Sequence, residues 1–209
     1  MWQIRFYEDR RGKSPVLEYL NKLPVQERAK AYNAIRLLAE FGPDLNMPHA
    51  KRIEGHLWEL RPGANRLFYF LLVDQTFVIL HGFRKQSQKT PELEIQVAQD
   101  ARVIGGTEMS PLSKTTFQDW ETEQLQNPEF AEAIQALEPG YQIARLRIQR
   151  GLTQAQLADL VGTHQPSIAR LESGLRHPSL SFLQRVAEVL QARVEVNLVP
   201  LEATKLVNV

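Results

Sequence analysis

The sequence contains no cysteine, which excludes disulfide bonds, zinc–thiolate sites and thiol catalysis. It also contains no apolar run long enough to span a bilayer, and the polar, charged residues 1–11 are unlike a secretory signal peptide. There is no spacing of His, Asp and Glu typical of a metal site, no Ser-His-Asp pattern and no Gly-rich phosphate loop. These absences predict a cytoplasmic protein that uses no metal or cofactor.

The 209 residues are enough for one or two domains, and a hydrophobic content of 43% is enough for buried cores. The net charge of +1 conceals three segments of different sign. Lys and Arg outnumber Asp and Glu by sixteen to twelve in residues 1–105 and by eight to five in residues 140–209, whereas residues 106–139 hold one base and seven acids. This layout is typical of two polyanion-binding modules separated by an acidic segment; the alternative is chance clustering of surface charge.

Residues 152–179 carry the local signals of two short helices joined by a tight turn, with a third helix following. Thr153 and Gln156 have the spacing of a capping box at the start of the first helix. Gly162 supplies the left-handed conformation that ends this helix, and Gly174 ends the next one. The pattern predicts a helix-turn-helix, and the alternative is a helical hairpin without a role in DNA binding.

The exposed face of the second predicted helix carries side chains suited to base edges. Glutamine bonds bidentately to adenine and arginine to guanine in the major groove, so Gln165 and Arg170 are candidates for base contacts. The segment resembles the helix-turn-helix of XRE-type (Cro/repressor-like) regulators, which implies that Pro166 also faces the bases and that Gln154 touches phosphate. The expected DNA-binding residues are Gln154, His164, Gln165, Pro166, Ser167, Arg170 and Arg176. A palindromic operator would be read by a homodimer.

The first 104 residues are expected to form an α+β domain. The run 66–73 is apolar on both faces, which predicts a central strand. The expected elements are a strand at 2–7, helices at 15–20 and 25–41, a loop at 44–55, strands at 57–61, 66–73 and 77–84, and a helix that opens at Thr90-Pro91.

A linker is expected at Gly105-Gly106-Thr107. It divides the chain into a first domain (1–104), an acidic leader (105–139) and an all-α helix-turn-helix domain (140–209). Outside the helix-turn-helix, the expected elements are helices at 117–125, 128–137, 141–150 and 179–190, with Pro139-Gly140 as a helix end, and a C-terminal strand at 194–198. Because a lone strand is unstable, this last strand should pair with another copy or another edge.

Several cations fall at the ends of the predicted strands of the first domain. Arg61 ends one strand and Arg66 begins the next, so a hairpin would bring them together. The third strand ends with His81, Arg84, Lys85 and Lys89. Such a cluster suits phosphodiester oxygens, and His81 is a candidate acid or base at neutral pH. The alternative is that the arginines are solvated or pair with Glu59, and that His81 is a core residue.

Residues 57–95 resemble the HigB-like toxins of the RelE/ParE superfamily. The resemblance rests on a signature of the phage-derived members, F-x-K-x₃-K-T-P, whose residues here are Phe83, Lys85, Lys89, Thr90 and Pro91. It implies a small antiparallel sheet with flanking helices, and a ribosome-dependent mRNA endonuclease that works without a metal.

The same resemblance implies roles for single residues. Arg66 matches the arginine that stabilises the scissile phosphate in RelE-like enzymes, whereas their C-terminal catalytic tyrosine has no counterpart. The general base therefore stays open between His81 and Lys85. The expected catalytic residues are Arg66, Lys85, Arg61, His81 and Lys89. The expected RNA- or ribosome-binding residues are Lys51, Arg52 and Arg84.

Residues 117–144 resemble the leader that precedes the helix-turn-helix in HigA-type antitoxins. The two resemblances together imply a toxin–antitoxin unit in one chain. In this unit, segment 106–139 would cover the cations or block ribosome entry, and the helix-turn-helix would repress its own operator. Two other interpretations stay open: a DNA-binding regulator whose first domain is an inactive interaction module, and a first domain that poisons gyrase as ParE-type relatives do.

Overall fold

A computed structural model describes residues 1–72, 75–86, 112–175 and 178–198. The expected order, an α+β region followed by a helical region, is confirmed. The strands are β1 (Gln3–Tyr7), β2 (Ala50–Glu54), β3 (Leu57–Leu60), β4 (Asn65–Leu71), β5 (Thr76–Arg84) and β6 (Leu112–Thr116). The helices are α1 (Pro15–Lys22), α2 (Val25–Phe41), α3 (Phe117–Leu125), α4 (Pro128–Gln149), α5 (Gln154–Val161), α6 (Gln165–Glu172) and α7 (Leu180–Val189), with a 3₁₀ turn at Gly42–Asp44.

The described strands form one sheet in the order β2-β3-β4-β5-β1-β6. β1 runs parallel to β5, and all other neighbours are antiparallel. The described sheet is therefore mainly antiparallel, as expected, with one parallel pair. The parallel pair follows from the connection, because α1 and α2 separate β1 from the other strands and return the chain to the same end of the sheet. β4 lies inside the sheet, as the apolar run predicted.

The two faces of the sheet have separate cores. On one face, Leu67 and Ile79 pack against the buried stripe of α1 and α2, which includes Leu20, Ile35 and Leu38. The other face buries a second cluster, whose described members include Leu57, Phe68, Phe70, Val78, Leu80 and Phe83. Alternate residues of β4 and β5 thus serve opposite cores, which explains why both strands read as continuous apolar runs.

Two strands occupy stretches for which none was expected. β2 lies in the predicted loop, and its charged residues are exposed along an edge of the sheet, where only pairing with β3 holds the strand. β6 lies in the predicted acidic leader and pairs with β1. The C-terminal half therefore adds a strand to the sheet of the N-terminal half.

Helix α4 runs without a break through Pro139-Gly140, so the predicted helix end at this point is wrong. A Cβ atom on Gly140 would lie 2.5 Å from the carbonyl oxygen of Leu171, so glycine is required for the close approach of α4 and α6. The glycine is there for packing and not for a turn. By contrast, the predicted capping box of Thr153 and Gln156 is confirmed, and Gly162 ends α5 with a φ of 71°.

The predicted C-terminal strand is not formed, since described residues 192–198 have no regular secondary structure. A strand needs a partner, and this segment pairs with no described strand of its own chain. The predicted helix at Thr90-Pro91 and the linker at 105–107 lie outside the described residues. None of the described helices has the length and apolarity needed to cross a membrane.

The C-terminal half packs on the N-terminal half through aromatic side chains. Phe117, Trp120 and Phe130 from α3 and α4 surround Tyr32 of α2, with ring centroids 5.8 to 6.4 Å from the Tyr32 ring. All four rings belong to the same core as the N-terminal sheet and helices. The helix-turn-helix has its own smaller core, which includes Ile143, Leu157, Ile168, Leu171 and Val186.

Candidate nucleic-acid interface

The two strand-end arginines of the N-terminal half converge on one carboxylate. The Nε atoms of Arg61 and Arg66 lie 3.3 and 3.2 Å from Oε1 of Glu59, whose side chain is 1% exposed. Arg66 also donates to the carbonyl oxygens of Gly63 and Asn65, at 2.8 and 2.6 Å. The hairpin thus brings the arginines together, and Glu59 offsets one of their two charges.

Burial lowers the pKa of Arg66, and the neighbouring charge of Arg61 acts in the same direction. The carboxylate of Glu59 opposes this shift through its charge and its hydrogen bond. The guanidinium stays charged at neutral pH, because the pKa of arginine lies far above it. Arg66 is therefore a fixed positive charge of low mobility, 7% exposed, at the start of β4.

The strand register places His81 on the same sheet face as Arg66. Arg66 is opposite Phe83, and His81 is opposite Phe68, which in turn is opposite Glu59 on β3. Positions directly opposite or two apart share a face, so Arg66, His81 and Glu59 all lie on one face. The His81 ring is stacked on Phe83 at 6.2 Å.

The remaining basic residues of the N-terminal half are less closely grouped. The main-chain N–H of Lys85 donates to Ala64, which places Lys85 beside the turn that precedes Arg66. Arg84 instead pairs with Glu27, with Nη1 at 2.7 and 2.8 Å from the two carboxylate oxygens. Hydrogen bonds from Asn65 and Arg84 lower the pKa of Glu27. Arg84 is thus committed to an ion pair with α2.

Two expected RNA- or ribosome-binding residues lie on the edge strand β2. Lys51 and Arg52 are exposed on β2, and Lys51 is paired directly with Glu59 across the strands. Arg52 donates through Nε to the carbonyl of Gly55. Lys89 lies outside the described residues. The described part of the basic set therefore extends from β2 across β3 to the start of β4.

In the helix-turn-helix, α6 presents its predicted base-facing residues to solvent. Gln165, Pro166 and Arg170 are exposed, and Ser167 is partly exposed. His164 stands at the N-cap position, but its side chain makes no capping hydrogen bond. Arg176 lies outside the described residues.

Gln154 is hydrogen-bonded within the helix-turn-helix. Its side-chain amide donates to Glu172 and accepts from Gln165, both at 2.8 Å, and the residue is 7% exposed. One of the two amide hydrogens and the amide oxygen of Gln154 thus have partners inside the protein, and the contact of Gln154 with phosphate stays a prediction. The carboxylate of Glu172 is the group that holds it inward.

Glu172 belongs to a buried polar network that sequence reasoning missed. Arg147 donates to it from Nε and Nη2, at 2.5 and 3.0 Å, and His49 Nε2 lies 3.4 Å away. Burial alone would raise the pKa of Glu172, but hydrogen bonds and charge from His49 and Arg147 lower it to about 2. The sequence did carry one signal of this network, since charged residues stand at inward-facing helical positions 147 and 172. No signal indicated His49, because it lies in a predicted loop.

A cleft of about 390 Å³ separates the two halves at this network. The N-terminal wall includes Lys30, Asn33, His49, Arg61 and Arg66. The opposite wall includes Tyr141, Gln154, Gln165, Ala169, Glu172 and Ser173. The strand-end arginines and one side of α6 thus line the same cleft.

The described part of the acidic segment makes its polar contacts away from the strand-end arginines. Its polar side chains contact α2: Gln124 accepts from Arg28 at 2.6 Å, Glu138 lies 3.2 Å from Arg36, and Glu121 accepts from Tyr32. None of these contacts covers Arg61 or Arg66. Leu137, near the end of this segment, and the helix-turn-helix line the cleft together with these arginines.

The comparisons with known proteins divide the chain in the same way. Residues 18–102 match the family described as phage derived protein Gp49-like, and residues 143–196 match the helix-turn-helix family. An uncharacterized HTH-type transcriptional regulator of Archaeoglobus fulgidus is 40% identical over 53 residues, which is 25% of this chain and 76% of that protein. The two matched regions thus flank the segment that contributes β6, α3 and the first part of α4.

Proposed function

We propose that this chain is a toxin–antitoxin unit in a single polypeptide. It belongs to the helix-turn-helix family and carries a Gp49-like phage-derived domain before the helix-turn-helix. The N-terminal domain, residues 1–104, would be a ribosome-dependent mRNA endonuclease. The C-terminal domain, residues 140–209, would bind operator DNA as a dimer and repress its own gene. The segment between them would hold the nuclease silent.

The main observation in support of nuclease activity is the convergence of Arg61 and Arg66 at one end of the sheet, beside Lys85. Cations held in a fixed array bind phosphodiester oxygens and stabilise the charge that develops in a transition state. His81 lies on the same face of the sheet as Arg66, within the part of the site that could exchange protons with RNA.

The chemistry follows from what RNA supplies. A base on the protein takes the proton of the 2′-OH while the 2′ oxygen bonds to phosphorus. The bond from phosphorus to the 5′ oxygen breaks, and an acid returns a proton to that oxygen. Arg61 and Arg66 would hold the phosphate oxygens, and His81 and Lys85 are the two groups for proton transfer.

The packing between the two halves supports the proposal that the C-terminal half inhibits the nuclease of the same chain. β6 extends the N-terminal sheet, and Trp120 and Phe130 are buried against α2. The helix-turn-helix faces Arg61 and Arg66 across the cleft, where it would obstruct an RNA strand that approached them. The intact chain would then be harmless, with the proposed RNA site facing its own C-terminal half.

Expression of residues 1–104 in cells tests the nuclease. Growth arrest with transcripts cut inside codons is the expected result, and residues 112–209 supplied from a second plasmid should restore growth. Arg66→Ala should relieve toxicity while circular dichroism shows an unchanged fold. DNA damage without RNA fragments would point to gyrase instead.

A second candidate is a DNA-binding regulator whose N-terminal domain is an inactive interaction module. One observation favours it: Glu59 lies within ion-pair distance of both Arg61 and Arg66 and offsets part of the charge that RNA would need. Under this candidate, soluble and folded residues 1–104 would accumulate without effect on growth, and Arg66→Ala would change nothing.

A further inference from the structure

The cleft lies alongside the recognition helix. Gln165, Ala169 and Ser173 follow one another at helical spacing, and all three line the cleft. Pro166 and Arg170, on the neighbouring side of the helix, are exposed. A helix that enters the major groove, about 12 Å wide, has a phosphate backbone on each side of it. A duplex read by Gln165 and Arg170 would therefore place one backbone at the mouth of this cleft.

The wall of the cleft opposite α6 is positively charged. Lys30, Arg61 and Arg66 line it, and Glu59, which is the carboxylate next to the two arginines, is almost completely buried. Nη1 of Arg61 has the sulfur of Met47 as its partner at 3.0 Å, and thioether sulfur is a weak acceptor. This wall thus holds more cationic groups than carboxylates and keeps donors for an anion.

The first turn of α6 adds a second source of positive potential. Thr153 caps α5 with its side chain, but His164 makes no such bond at the start of α6. Pro166 has no N–H, and the N–H of Ser167 donates to the carbonyl oxygen of His164, so the N–H of Gln165 is the donor left for an anion in these first three positions. The helix dipole favours a phosphate at this end. Gln165, the first residue of α6, is exposed at this point.

We infer that the cleft is a phosphate-binding site for the DNA backbone beside the operator half-site, with Lys30 and Arg61 of the Gp49-like domain as phosphate contacts. The inference rests on the proposed DNA binding and assigns the N-terminal half a direct part in it. Phosphate contacts carry no sequence information, so these residues strengthen binding to every sequence equally. RNA is proposed to bind at Arg61 of the isolated N-terminal domain, so the same phosphate site would take DNA in the intact chain and RNA in the isolated domain.

Salt-dependent binding of the full-length chain tests the inference. The probes are duplexes selected by the wild-type protein from a random-sequence pool, together with unselected duplexes, and binding is followed by fluorescence anisotropy over a range of KCl concentrations. Lys30→Gln and Arg61→Gln should each weaken both classes of duplex to the same extent and reduce the slope of log K against log[salt] by about 1. Thermal melts establish that both variants are folded.

Lys114→Gln is the matched control. Lys114 is an exposed cation on β6, at the opposite end of the sheet from β3, so its loss removes the same charge and should leave the slope unchanged. Wild-type slopes for both Lys30→Gln and Arg61→Gln would overturn the inference while DNA binding stands. Failure of the wild-type protein to select any duplex would instead remove the proposed DNA binding, and the inference with it.

Discussion

His49 and Glu172 join the two halves of the chain at a buried polar contact. His49 Nε2 lies 3.4 Å from Oε2 of Glu172 and 3.1 Å from Nη2 of Arg147. His49 belongs to the Gp49-like half, whereas the other two residues hold the helix-turn-helix together by linking α4 to α6. The same carboxylate also orients Gln154, so a contact from the N-terminal half reaches the start of α5.

Removing the charge of Glu172 should destabilise the helix-turn-helix strongly. Glu172→Gln leaves the guanidinium of Arg147, 2% exposed, without its counter-charge, and breaking a buried ion pair in this way costs about 3–5 kcal/mol. Urea unfolding of the full-length chain measures the effect. Glu188→Gln, an exposed carboxylate on α7, is the control and should lie within about 0.5 kcal/mol of the wild type. Equal stabilities for the two variants would contradict the importance of the pair.

The same carboxylate predicts a loss of stability in acid. The pKa of Glu172 is lowered from 4.5 to about 2 in the folded protein, so the ionised form is favoured by folding. Its contribution is fully present above about pH 4.5 and disappears as the pH falls toward 2. The free energy of unfolding should therefore fall more steeply over this range for the wild type than for Glu172→Gln. Parallel curves would show that Glu172 does not titrate as described.

Trp120 should be the main anchor of the C-terminal half on the sheet domain. Its side chain is 1% exposed and donates from Nε1 to Asn21 at 3.0 Å. Trp120→Ala should cost about 3–5 kcal/mol, because it removes a large buried ring. Trp120→Phe keeps a ring and loses the hydrogen bond to Asn21, an exposed residue whose oxygen water can pair, so it should cost less than Trp120→Ala; a net hydrogen bond contributes about 0.5–1.5 kcal/mol. Thermal unfolding measures both, with exposed Gln118→Ala as the control; a Trp120→Ala variant as stable as this control would argue against the anchor.

Arg170 should govern sequence preference and not general affinity. Arg170→Ala should weaken binding to the selected duplex by about 1–3 kcal/mol and relax the preference at one base pair. Binding to unselected duplexes should change little. Repeating the selection with the variant protein measures the preference directly, and Arg185→Ala, an exposed arginine on α7, is the control. An unchanged selected sequence would mean that Arg170 does not read a base.

Local signals in the sequence predicted most helix ends correctly. Ser14, Thr153 and Asn127 cap helices through hydrogen bonds to residues two or three positions ahead, so a short window contains the whole cause. The alternating pattern and apolar runs of β1, β4 and β5 were sufficient to predict these strands, because they too are local. The convergence of Arg61 and Arg66 also followed from sequence, because a short turn joins their strands.

The features that the sequence did not predict depend on residues far away in the chain. β2 and β6 exist because β3 and β1 pair with them, and Gly140 lies within a helix because Leu171 approaches it from another helix. The contact of His49 with Glu172 joins residues more than a hundred positions apart, and no local pattern indicates it. The hydrogen bonds of Gln154 to Glu172 and Gln165 could likewise not be predicted from its neighbours in the sequence.

RNA cleavage by purified residues 1–104 on ribosomes carrying a defined mRNA tests the central claim most directly. Primer extension maps new 5′ ends, with Arg66→Ala and the full-length chain assayed at the same concentration. We expect cuts within codons for residues 1–104, none for Arg66→Ala, and none for the full-length chain, in which the helix-turn-helix faces Arg61 and Arg66 across the cleft. Folded residues 1–104 that leave the mRNA intact would contradict the account and leave a DNA-binding regulator with an inactive N-terminal domain.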